Sequence, residues 1–73
     1  MEHKDLPLGS IIINPTSKWV FKYLGIYSKE VIHNIYLYKV LYTVDKEEYI
    51  IDNYDLSQYI VIKPNRLTSL LYD

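Results

Sequence analysis

The chain has 73 residues, with eight Lys and Arg against nine Asp and Glu, a formal net charge of −1, and neither cysteine nor alanine. Lack of cysteine excludes a disulfide framework and a cysteine zinc site, and near-neutral charge argues against a dedicated nucleic-acid or membrane-surface binder. Nine tyrosines, with abundant Ile and Val, suit a pleated, half-buried surface, while the best helix former is missing.

A chain of this length makes one domain, and it buries only about 60% of the surface its unfolded form exposes. The core must therefore be dense in large side chains. No segment reaches the roughly 18 apolar residues of a membrane span. The polar opening Met-Glu-His-Lys-Asp is not a secretory signal. Cytoplasmic residence, in a bacterium or a host cell, is the expectation. Preference for Ile, Tyr, Lys and Asn over Ala, Gly and Arg points to AT-rich codons, hence to a low-GC bacterium, its phage or its plasmid.

Residues 1–9 read as a flexible leader closed by Pro7 and Gly9. Residues 10–14 are a short β-branched run, the first strand. Asn14, Pro15, Thr16 and Ser17 form a turn, since Asn and Ser bond local backbone and Pro presets φ. Residues 18–27 are the second strand. Alternation puts Trp19, Phe21, Tyr23 and Tyr27 on one side and Val20, Lys22, Leu24 and Ile26 on the other. Gly25 inside that strand marks a bulge or bend. Residues 28–34 read as the longest loop. Residues 35–44 are the third strand, with Tyr36, Tyr38, Val40, Tyr42 and Val44 opposite Ile35, Leu37, Lys39, Leu41 and Thr43. Both faces are substantially apolar.

Asp45, Lys46 and Glu47 make a hairpin turn, and residues 48–54 are the fourth strand. Residues 55–58 are a short turn of 3₁₀ character, and residues 59–63 a fifth strand stopped by Pro64. Asn65 can cap a short terminal helix with Leu67, Leu70 and Leu71 on one side; the alternative for residues 64–73 is a frayed tail. Five short strands in up-and-down order, with a helical turn before the last, predict an all-β fold. Its plan is a small five-stranded SH3-like barrel over residues 10–63. An OB-fold would need a helix between the third and fourth strands, and residues 45–47 leave no room for one.

Catalytic chemistry has no footing in these motifs. Ser10, Ser17, Ser28, Ser57 and Ser69 lack a G-x-S-x-G elbow. His3 and His33 have no metal-ligand spacing around them. Glu47 and Glu48 are strand neighbours that point to opposite faces, which does not suit paired acid–base work. Gly9 and Gly25 are too far apart for a phosphate cradle. The chain is therefore expected to be non-enzymatic, with no cofactor and no metal.

Lysines 18, 22, 29 and 39 give the second quarter of the chain a basic bias. In Lys18-Trp19-Val20-Phe21-Lys22-Tyr23, basic residues could meet phosphates while aromatics stack on bases. Alternation sets the two kinds on opposite faces, so few charges would act on one ligand. Lys18, Lys22, Lys29 and Lys39, with Lys63 and Arg66, nonetheless define the alternative nucleic-acid reading. The acidic run Asp45, Glu47, Glu48, Asp52 and Asp55 offers another, a phosphate-like charge pattern that fills the basic groove of a nuclease.

The tyrosines are the stronger lead. A domain this small cannot bury nine phenols with every hydroxyl partnered. Some must stand in water, and Tyr is favoured at protein interfaces for its contact area and low entropy cost. Tyr36, Tyr38, Tyr42 and Tyr54 are the expected partner-binding residues. The expected function is a protein-binding module or small inhibitor-type protein. A homodimer is a further expectation, because both sides of the third strand are apolar.

The run Leu6-Pro7-Leu8-Gly9-Ser10-Ile11-Ile12 resembles the opening of a short family of uncharacterised Gram-positive proteins. That family begins with a Leu-Pro-Ile-Gly-Ser-Val-Val type run, and some members lie near type VII secretion loci. Gly25 and the segment Tyr49-Ile50-Ile51-Asp52-Asn53-Tyr54-Asp55-Leu56 fall in compatible places, so the resemblance spans residues 6–62. The family's Tyr-Pro-x-Gly turn after the third strand is replaced by Tyr42-Thr43-Val44-Asp45. The resemblance implies no catalytic residues. The Ala-Leu-Tyr-Asp-Tyr opening and Trp-Trp pair of peptide-binding SH3 domains are absent, so proline-rich ligands are not implied.

Overall fold

The computed structural model describes residues 6–30 and 32–72, with the side chain of Tyr72 left aside. The expected leader residues 1–5, His3 included, lie outside them. Five antiparallel strands form one sheet: β1 (Ile11–Ile13), β2 (Val20–Glu30), β3 (Ile35–Tyr42), β4 (Glu48–Asp52) and β5 (Ile60–Ile62). Helix α1 (Asn53–Gln58) joins β4 to β5, and α2 (Arg66–Tyr72) follows β5. The sheet order is β4-β3-β2-β1-β5.

Local chemistry explains the corners. Asn14 Oδ1 accepts from the N–H groups of Thr16 and Ser17 at 3.0 and 3.3 Å, so one side chain organises the β1–β2 turn. At the β3–β4 turn, Asp45 Oδ1 accepts from the Glu47 N–H at 2.8 Å. Asp52 caps α1 by accepting from the Asp55 N–H at 2.7 Å, which satisfies one orphan donor of the first turn. Asn65 and Thr68 cap α2 reciprocally, each side chain accepting the other's N–H at 2.9 Å. The terminal residues therefore choose the helix over the frayed tail.

Gly25 takes φ 128°, a region closed to most side chains, and the β2–β3 register shifts between Tyr23 and Gly25. The predicted bulge is real, and a second shift falls between Ile26 and Ser28. The first shift inverts the simple alternation and the second restores it: Ile26 pairs with Tyr38, and Lys29 with Tyr36, while Tyr27 between them leaves the row of Trp19, Phe21 and Tyr23 and is 59% exposed. Residues 28–30, expected in a loop, continue β2 against β3. The fourth strand is shorter than expected because Asp52 caps a helix there.

The barrel expected from the strand plan is not closed. β4 and β5 stand at the two ends of the strand order, and closure would require them to pair. β5 holds three residues, and Pro64 soon follows with no N–H to extend a ladder. What forms is a bent open sheet with one covered face. Ile12, Phe21, Tyr23, Tyr38, Val40, Ile51 and Leu56 make the buried cluster, with Leu6, Tyr36, Tyr42, Tyr59 and Val61 packed around it. Leu56, fully buried, is the contribution of α1. Residues 6–9 are tied to the sheet rather than trailing from it: the Gly9 N–H donates to the Tyr23 carbonyl at 3.0 Å, and Leu6 packs on the core.

Candidate partner-binding surface

One end of the covered face grades from core to water through stacked rings. The β1–β2 turn delivers Trp19 to the start of β2, beside Phe21. The β3–β4 hairpin brings Tyr42 and Tyr49 to the same face, since Phe21 pairs with Tyr42 and Val40 with Tyr49. Trp19 stacks on Tyr42 with ring centroids 4.3 Å apart and planes 13° from parallel. Tyr49 stands edge-on to Trp19 at 6.2 Å, to Phe21 at 6.1 Å and to Tyr42 at 6.3 Å. Offset stacks and edge contacts are the arrangements that ring quadrupoles favour. Phe21 is 5% exposed, Tyr49 36% and Trp19 41%. The inner ring anchors the cluster, and Trp19, Tyr42 and Tyr49 form a platform at its outer side.

The platform has a polar rim. Tyr49 Oη donates to Asp45 Oδ2 at 3.1 Å. Partial desolvation, that bond, and the charges of Asp45 and Glu47 together push the Tyr49 phenol above the ordinary tyrosine range.

The four expected tyrosines are not brought together. Tyr38 is 1% exposed and packs against Tyr23 at 5.9 Å; it belongs to the core and cannot contact a partner in the folded chain. Tyr36 is half-buried against the core, and its N–H donates to Asn53 Oδ1 at 3.0 Å. Tyr54 is 58% exposed on α1. Tyr42 lies at the opposite end of β3 from Tyr36, about 20 Å away at strand rise. Of the four, Tyr42 alone joins the platform. Trp19 and Tyr49 were missed as site residues. Register could have found them, because the hairpin turn at residues 45–47 sets Tyr49 beside Tyr42 on one face.

The lysines are dispersed as well. Lys22 pairs with Leu41, and Lys39 with Ile50, so both lie on the sheet's second face. Lys29, past the second register shift, pairs with Tyr36 on the first face. Lys18 sits in the turn with φ 65°. Lys39 Nζ reaches Glu48 at 3.3 Å. The acids also divide: Asp45 holds the hairpin and Tyr49, Glu48 meets Lys39, and Asp52 caps α1. His33 pairs with Glu30 at the β2–β3 turn. Among the described residues no group of three or more His, Cys, Asp or Glu could hold a metal, and no helix is long and apolar enough to cross a membrane.

The second face is only partly covered. Ile11 is buried there, beside a small cleft lined by Gly9, Lys22, Pro64, Asn65 and Thr68. Ile50, Ile60 and Ile62 on the same face are 43, 51 and 37% exposed, and Leu67, Leu70 and Leu71 of α2 stand in solvent at 63–78%. In comparisons with known proteins, no family model, no curated protein and no solved structure matches the chain.

Proposed function

We propose that this chain is a small non-enzymatic protein-binding module on an SH3-like plan, gripping its partner with the Trp19–Tyr42–Tyr49 platform. The order β4-β3-β2-β1-β5 and the helical turn before the last strand support the plan, in the form of an open sheet. The observation that carries the function is the stacked ring cluster that stays at the surface. Rings that serve only the fold would be expected to sink as Phe21 does. A Trp at 41% and a Tyr at 36% exposure, held rigid by mutual packing, supply large contact area at little ordering cost. A small inhibitor-type role, from a phage or other mobile element, is the form of this function that the composition favours.

The test is site-dependent capture. Wild-type protein immobilised in an extract of its source cell should retain a partner that W19A/Y49A loses, and the purified partner should then bind wild type alone. Circular dichroism must show the double variant folded. Equal retention by both proteins would refute the platform. Nucleic-acid association through Lys18, Lys22, Lys29 and Lys39 is the rival, and the scatter of those lysines over two faces and a turn weighs against it. Binding of DNA or RNA at low salt that collapses as salt rises would revive it.

A second reading rests on the other face. Ile50, Ile60, Ile62 and the α2 leucines form an apolar surface of the sort that pairs two copies. A single monomeric species at high concentration in sedimentation equilibrium would remove it.

A further inference from the structure

The platform also indicates what kind of partner it takes, and this step rests on the protein-binding reading above. One face of the Trp19 indole is covered by Tyr42, in near-parallel stacking at 4.3 Å. Trp19 is nonetheless 41% exposed, so part of its ring is left to solvent. The electron-rich face of an indole is the best aromatic surface for a cation. The carboxylate of Asp45 is held at the cluster's edge by the Tyr49 hydroxyl at 3.1 Å, and Glu47 is exposed beside it in the same turn. Glu48, the next acid, already has Lys39 within 3.3 Å, which leaves Asp45 and Glu47 as the rim. Lys18 and Lys46 sit at left-handed positions in the adjoining turns, and neither is among the groups acting on the Tyr49 phenol, which are Asp45, Glu47 and Tyr42.

We infer that the platform docks a basic segment of its partner protein, with an arginine side chain laid over the exposed part of Trp19 and its guanidinium reaching Asp45 and Glu47. Arginine fits better than lysine. Its planar head stacks on an aromatic face and bonds a carboxylate at once, and it sheds water more readily. A neutral or acidic segment would leave the two carboxylates facing apolar or like-charged surface, which disfavours it.

The sole tryptophan of the chain reports on the site directly. Three capped heptapeptides serve as probes: Gly-Arg-Ser-Arg-Ser-Arg-Gly, the same with Gln for Arg, and the apolar Gly-Leu-Ser-Phe-Ser-Leu-Gly. The arginine peptide should change Trp19 emission saturably and bind about tenfold more tightly than the glutamine peptide. D45N/E47Q should weaken the arginine peptide by about five- to tenfold. Asparagine at 45 still offers the turn an oxygen acceptor, and circular dichroism checks that the fold is kept. Raising salt from about 50 to 300 mM should weaken the arginine peptide and leave the apolar one unchanged.

Equal affinity for the arginine and glutamine peptides would overturn the inference, as would an unchanged affinity in D45N/E47Q. Preference for the apolar peptide would overturn it too, while leaving the protein-binding reading intact. No response from any peptide would also sink it, and the capture experiment would then decide the wider reading by itself.

Discussion

Ile50 and Ile51 are consecutive residues of one strand, yet Ile51 is 8% exposed and Ile50 43%. The same contrast runs across the sheet. On the first face, α1 lays Leu56 over Ile12, Phe21, Tyr23, Tyr38, Val40 and Ile51. On the second, Ile11 is the buried side chain, and the leucines of α2 face water. Two apolar faces of one sheet thus carry different duties because a helix covers one of them more fully. Covered surface contributes to stability in proportion to the area withdrawn from water, and uncovered surface contributes correspondingly little.

The largest effect expected from breaking this contrast lies in the covered face. Tyr38→Ala should cost about 3–5 kcal/mol, a large share of the stability of a domain this small, and equilibrium urea unfolding measures it. Gly25→Ala comes next, at about 1–3 kcal/mol, because alanine is strained at the backbone angle of the bulge; the shift in thermal midpoint reports it. Asp52→Ala removes the cap of the helix that covers the core, at a cost of about 1 kcal/mol, which the same denaturation reads.

Alkaline pH probes the interior more gently. Burial pushes the Tyr23 phenol above its ordinary range, whereas in the unfolded chain it ionises near the usual value of about 10. Because the folded value is the higher one, this contribution is complete below about pH 10 and is lost as pH climbs toward the folded value. Wild type should therefore lose stability faster than Tyr23→Phe above that pH, in paired denaturation curves. The smallest effect belongs to the open face: Ile50→Thr should change stability by no more than about 0.5 kcal/mol. If instead it destabilises as much as Ile51→Thr, the second face is covered in solution and the contrast fails.

Much of the fold was legible because its signals are local. The Asn14 turn, the Asp45 hairpin and the Asn65 cap each act through a side chain and backbone groups a few residues away, and the bulge at Gly25 through that residue's own backbone angle. The two register shifts in β2 were harder to read, since the second carries no glycine. Between them the shifts left Tyr27 outside the aromatic row, and the ladder runs on through residues 28–30, which were expected in a loop. The candidate site was only partly legible. Tyr42 was expected, but Tyr38 was misplaced, because alternation says which residues share a face and not what lies over that face. Trp19 entered the site through a neighbour on another strand.

Sequence alone settled the strand-rich class, most of the corners and the alternation outside the shifted part of β2, for these follow from backbone preference and short-range hydrogen bonding. Tertiary structure alone decided that the sheet stays open, that Leu56 seals one face, and that Trp19 meets Tyr42 and Tyr49 at the surface. Each of those depends on which distant segment lies across another. Competition between covering elements governs that choice, and it is not encoded in the rhythm of any single strand.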